Sequence, residues 1–164
     1  MNWDAIGAIA ELLGALGVIG SLVYVALQVR SSTRASKVES KLRLTEAMVA
    51  YGNQLLENPE LNDLMIKGRK DIEELSKEEL LRFSNLCLKA GWYISSGYFM
   101  YRQKTISEDD WFELRTIAEY WAYSTGFQQW WASRGHKSFT GDFKKFIDQQ
   151  IYLAKKLKTK ADKE

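Results

Sequence analysis

The chain has 164 residues, 46% of them apolar and 13% aromatic, enough for one modest packed domain and an additional segment. One proline and 11 glycines argue against the frequent turns of a sandwich or barrel and for long helices. A net charge of +2 excludes a nucleic-acid-scale field, so no nucleic-acid partner is expected; the single cysteine, Cys87, excludes an internal disulfide, which fits a reducing compartment.

The first predicted element is a membrane span. Ala5 to Leu27 form a 23-residue run, AIGAIAELLGALGVIGSLVYVAL, whose one charge is Glu11. At about 1.5 Å per residue, a hydrocarbon core of about 30 Å takes about 20 residues. Residues 1–29 are therefore expected to be a transmembrane anchor, with Trp3 and Tyr24 near its two interfaces. Glu11 would lie roughly 9 Å inside the membrane edge, where it must snorkel, protonate or meet a partner. A cleaved signal peptide would want a basic start, whereas this chain opens Met1, Asn2, Trp3, Asp4. A buried core helix of a soluble protein is seldom this long and apolar.

Small residues recur along the span at Gly7, Ala10, Gly14, Gly17 and Ser21, in steps of three and four. That spacing keeps one seam on a partner helix, and small residues let membrane helices approach. Self-association into a homo-oligomer is expected, with Glu11 recurring around its axis. No lysine or arginine precedes the span, while Arg30, Arg34, Lys37, Lys41 and Arg43 follow it, opposed by Glu39 alone. The positive-inside rule puts the N-terminus outside and the rest in the cytoplasm, with the basic flank against anionic headgroups of the lipid bilayer.

Residues 30–157 read as a cytoplasmic helical domain. No strong breaker lies between Val25 and Glu57, so the span is expected to run on as one stalk helix; its apolar positions Val38, Leu42, Thr45, Val49 and Leu56 face the bundle or a sister stalk. Asn58-Pro59 opens a short helix that Gly68 would end. Ser76 with Glu79 forms a capping box for a helix reaching about Lys104, with Phe83, Cys87, Ala90 and Ile94 on its apolar stripe. Ser107 caps a helix that runs to about Ser133, with Glu108, Asp109 and Asp110 at the positive end of its dipole. Thr140 caps a final amphipathic helix, and residues 158–164 read as a disordered charged tail. The expected fold class is all-α: one N-terminal transmembrane helix continuing into a stalk and a small antiparallel helical bundle.

Residues that could carry chemistry are few. Cys87 lies on an apolar stripe, with no histidine nearby to activate it, and reads as a structural thiol. His136 is the only histidine, so no site needing two can form, and no metal or cofactor is expected. Glu119 reads as an edge residue paired with a base. No enzymatic activity is expected. The dense aromatics could instead line a pocket, with Trp92, Trp111, Trp121 and Trp131 as candidates for an apolar or cationic ligand. Adjacent Trp130 and Trp131 point about 100° apart on a helix, so one ring is expected to reach a second surface.

Trp3, Asp4, Ala5 and Ile6, then Glu11, then Leu22, Tyr24, Ala26, Gln28 and Arg30, resemble the opening of a family of uncharacterised small bacterial single-span membrane proteins. Gly126, Phe127, Trp130 or Trp131, Phe139, Phe143 and Phe146 are similar to that family's C-terminal signature. The resemblance implies a bacterial inner-membrane protein and carries no activity with it.

The preferred reading from sequence is a non-enzymatic, membrane-anchored, self-associating helical scaffold that presents a cytoplasmic surface to an unknown protein partner. A membrane-tethered sensor with an aromatic pocket for a small molecule or lipid comes second. An oligomeric pore with Glu11 near its axis comes third.

Overall fold

The computed structural model describes residues 3–161, without the side chains of Asp4, Ala5, Ile6 and Ala10. The described residues are helical with no strand, so the fold class is all-α. The chain divides into two compact units, Met1–Glu39 and Ser40–Glu164.

Helix α1 spans Trp3–Leu56 without interruption, as the lack of breakers after Val25 predicts. Within the first unit every described side chain on it is exposed. The most apolar stretch of α1 is long enough to cross a membrane, and none of it is buried. A core helix of a soluble domain would be mostly covered, so the finding disfavours that alternative within this chain.

In the second unit, the last four turns of α1 pack on a bundle made by α2 (Pro59–Lys70), α3 (Lys77–Arg102), α4 (Glu108–Ala122), α5 (Thr125–Trp130), a wide π turn (Trp131–Gly135), α6 (His136–Ser138) and α7 (Gly141–Ala161). Capping follows the sequence closely. The Asn58 side chain accepts from the Leu61 N–H ahead of Pro59, and Ser76 with Glu79 and Ser107 with Asp110 form reciprocal capping boxes. The core centres on Phe83, Cys87, Ala118, Ala122 and Trp130, all within 1% of full burial. A second cluster gathers Trp111, Ile106 and Leu114 under Tyr98, Tyr101 and Phe146.

Five expectations are corrected. The stripe of α1 that meets the bundle is Leu44, Tyr51 and Leu55, while Val38, Leu42, Val49 and Leu56 are exposed, which overturns only their expected packing on the bundle. Gly68 does not end α2, which continues to Lys70. A Cβ at Gly68 would run into the Phe83 ring, and one at Gly126 into the Gly68 carbonyl, so both glycines serve close approach of helices. The helix expected from Ser107 to Ser133 breaks after Ala122, where the Gln128 side chain donates to the Ala122 carbonyl (2.8 Å) and the Ser124 hydroxyl to the Trp121 carbonyl (2.9 Å). Those side chains add hydrogen bonds to the last carbonyls of α4, where the regular helical pattern stops. Trp130 and Trp131 are both buried, at 1% and 3% exposure. The second surface that the Trp131 ring reaches is α7 of the same chain, where its Nε1–H donates to Asp148 at 2.7 Å. Finally, α7 runs to Ala161, so residues 158–161 are helical, with Lys158 and Lys160 at the negative end of the helix dipole; residues 162–164 lie outside the described residues.

Candidate functional site

A groove of about 840 Å³ lies beside the last turns of α1 in the second unit. Its walls come from four helices. Tyr51 and Leu55 stand on α1, Met65 and Ile66 on α2, Tyr93 on α3, and Ile117, Tyr120 and Trp121 on α4. It forms because α1 docks through few side chains. Where a fuller helix face would close the space, α1 offers Gly52, and a Cβ there would meet nothing within 4 Å.

The groove is apolar with a cationic edge. Arg69 and Lys70 line it, and no Asp or Glu is among its lining residues. The Arg69 guanidinium lies over the Tyr120 ring at 3.8 Å and near the Trp121 ring at 5.8 Å. One of its Nη groups donates to the Tyr120 carbonyl at 3.2 Å, while its Nε–H is buried without a partner. The ring stack fixes the guanidinium at the edge of the groove.

The two tyrosines opposite are neutral donors. The Tyr51 hydroxyl donates to the Leu86 carbonyl at 3.4 Å, and burial raises its pKa. The Tyr93 hydroxyl donates to Met48 Sδ at 3.3 Å, and burial pushes its pKa up to about 12. Both rings also line a second groove of about 620 Å³ on the opposite flank of α1, with Trp92, Leu44 and Met100. Tyr51 and Tyr93 thus form the partition between two hollows.

The four tryptophans proposed from sequence do not form one pocket. Trp121 lines the first groove and Trp92, 59% exposed, the second. Trp111 is closed in its own cluster against Tyr98 and Tyr101, and Trp131 stacks on Phe127 and Phe139 in the main core. Arg69, the groove's main polar group, was missed by sequence reasoning. Its partner Tyr120 is 51 residues away, and no local pattern connects the two.

The other candidates fall in separate places. Cys87 is fully buried, and desolvation raises its thiol pKa well above the ordinary value, which keeps it protonated and inert. His136 lies in α6, half-exposed, with Nε2 3.4 Å from Asp148. Glu119 pairs with Arg115 at 3.0 Å on its own helix. Among the described residues no group of three His, Cys, Asp or Glu side chains could hold a metal.

On α1, Gly7, Gly14 and Gly17 face open space, and the Ser21 hydroxyl donates back to the Gly17 carbonyl at 2.8 Å. The Ala10 side chain lies outside the described residues. Glu11 is exposed beside this seam, as are Arg30, Arg34 and Lys37 further along. Lys41 is also exposed, and its ammonium pairs with Asp110 at the start of α4. Comparison with known protein families, with curated proteins and with solved structures finds no match to this chain.

Proposed function

We propose that this chain is a membrane-anchored protein whose soluble unit holds an amphiphilic anion, an acyl chain with an acidic headgroup, in the groove lined by Arg69. The observation that carries this reading is the groove itself: apolar and aromatic walls, two cations and no carboxylate in its lining. Its volume lies in the range of about 300–1,000 Å³ usual for ligand pockets. An acidic head would pair with the guanidinium of Arg69 and the ammonium of Lys70, and the chain would lie on Leu55, Met65, Ile66 and Ile117. This develops the second of the readings drawn from sequence, and no covalent chemistry is assigned to the groove.

Anchoring rests on the length and apolar character of α1 in its first unit and on its uncovered surface. The basic residues after the run favour a cytoplasmic second unit, and the sequence resemblance favours a bacterial inner membrane. The scaffold reading has separate support, an exposed and uncharged stripe on α1.

The test is calorimetric titration of the full chain in nanodiscs, with empty nanodiscs as the blank, using decanoic acid and decanol. Saturable binding of the acid is expected, at least tenfold weaker in Arg69→Gln, with decanol little affected by that substitution. Acid and alcohol binding equally, with Arg69→Gln changing neither, would refute the anion site.

A further inference from the structure

We infer that α1 pairs with α1 of a second copy as a parallel, in-register coiled coil, through the face carrying Val38, Leu42, Thr45, Val49 and Leu56. The structure leaves this face uncovered. Val38 is 64% exposed, Leu42 and Val49 each 55%, and Leu56 82%. The bundle is met instead by Leu44, Met48, Tyr51 and Leu55, centred about 110° further round the helix at about 100° per residue. One helix therefore has two apolar faces, and the fold of a single chain uses only one.

The uncovered face has the spacing of a coiled-coil seam. With Gly52 included, its positions advance in steps of four and three from Val38 to Leu56. In the sequence, the same alternation runs back through Ala35, Ser31 and Tyr24 to the Gly7–Ser21 series without a change of register, and no position on it is charged. Charges abound beside it. Arg34 and Lys41 fall on one flank of the seam, and Glu39 and Glu46 on the other.

Those flanks choose the partner and its direction. In a parallel pair, a residue on the first flank faces the second-flank residue five positions on in the other helix. Arg34 then meets Glu39 of the partner subunit, and Lys41 meets Glu46 of the partner subunit, each twice by symmetry. An antiparallel pair sets Arg34 against Lys41 and Glu39 against Glu46, base on base and acid on acid. The charge pattern thus complements a second copy of this same helix in parallel. Lys41 keeps Asp110 in this arrangement, because an ammonium has three donors, and Glu39 keeps its contact within its own chain, because a carboxylate accepts at two oxygens. A common membrane anchor would align the copies and raise their effective concentration; the pairing rests on the proposed anchor in that respect alone and is independent of the groove.

The experiment places one cysteine at a time in the full chain, reconstituted in phosphatidylethanolamine–phosphatidylglycerol vesicles, and adds a short thiol cross-linker. Wild type, whose Cys87 is buried, is the blank. Leu42→Cys and Val49→Cys are expected to give covalent dimers, and Ala50→Cys, about 100° round the helix, at least fivefold fewer. Reversing one flank with Glu39→Lys and Glu46→Lys in the Val49→Cys chain should lower the yield several-fold. Mixing that chain with an Arg34→Glu, Lys41→Glu, Val49→Cys chain should restore cross-links between unlike copies. Circular dichroism checks that each variant is folded. Equal yields at Val49 and Ala50, no dimer at Leu42 and Val49 in folded chains, or charge reversal without effect would each overturn the coil, whatever the titration of the groove returns.

Discussion

Gly68 and Gly126 let α2 and α5 meet main chain to main chain, because a Cβ on Gly126 would land on the Gly68 carbonyl. Overpacking of this kind usually costs about 1–3 kcal/mol, and a backbone obstacle yields less than a flexible side chain. Gly126→Ala is therefore expected to destabilise the second unit by at least that order. Gly52 makes the opposite case: it is helical and faces open space, so Gly52→Ala should be neutral or stabilise by up to about 1 kcal/mol through helix propensity. Thermal melts of the two variants in one detergent check both expectations, and shifts of the same sign and size would refute the assignment. Gln129 joins its neighbours in a similarly specific way. It accepts from the Ile72 N–H at 3.0 Å and donates to Asp71 at 2.9 Å, which ties α5 to the turn after α2.

Among the elements, the end of α1 is held least firmly. Residues 40–56 dock through Leu44, Tyr51 and Leu55, the Tyr51–Leu86, Tyr93–Met48 and Lys89–Gln54 hydrogen bonds and the Lys41–Asp110 pair, with a groove along each flank. Segments with few buried contacts open first. The hydrogen bond from Lys41, and then that from Ser107, hold the Asp110 carboxyl below its ordinary pKa. A depressed folded pKa contributes stability above the ordinary carboxylate value and loses it as pH falls through the folded one. The contribution of this pair is thus present at neutral pH and disappears in acid. Lys41→Met should raise hydrogen exchange in residues 40–56 at neutral pH and leave the core of α3 and α4 protected. The difference from wild type should fade as pH drops below the ordinary carboxylate range, read by exchange corrected for its intrinsic pH dependence. A difference that persists in strong acid would assign the effect to lost packing.

For the whole molecule, the prediction concerns sidedness. Arg30, Arg34 and Lys37 follow the apolar run, so the proposed anchor would hold the second unit on the cytoplasmic side of its membrane. A green fluorescent protein fused after Glu164 should fluoresce, and alkaline phosphatase fused there should stay inactive. The reverse pair of readouts would put the groove on the other face and remove cytoplasmic anions as its ligands.

Much of this architecture is readable locally. The apolar run, the Asn58-Pro59 start and the Ser76 and Ser107 capping boxes depend on residues within one or two turns, and helices are closed by hydrogen bonds of that same range. The sequence alone therefore determined the helical class, the place of the long apolar run and most helix starts. The tertiary structure decided which of two apolar stripes on α1 docks, how the Ser107–Ser133 segment divides to bring Gly126 onto Gly68, and why two adjacent tryptophans both find cover. It also decided the groove, since Arg69 and Tyr120 meet only when α2 and α4 do. Each of these depends on which surfaces compete for a face. Spacing along one helix records that a face is apolar and leaves open what will cover it.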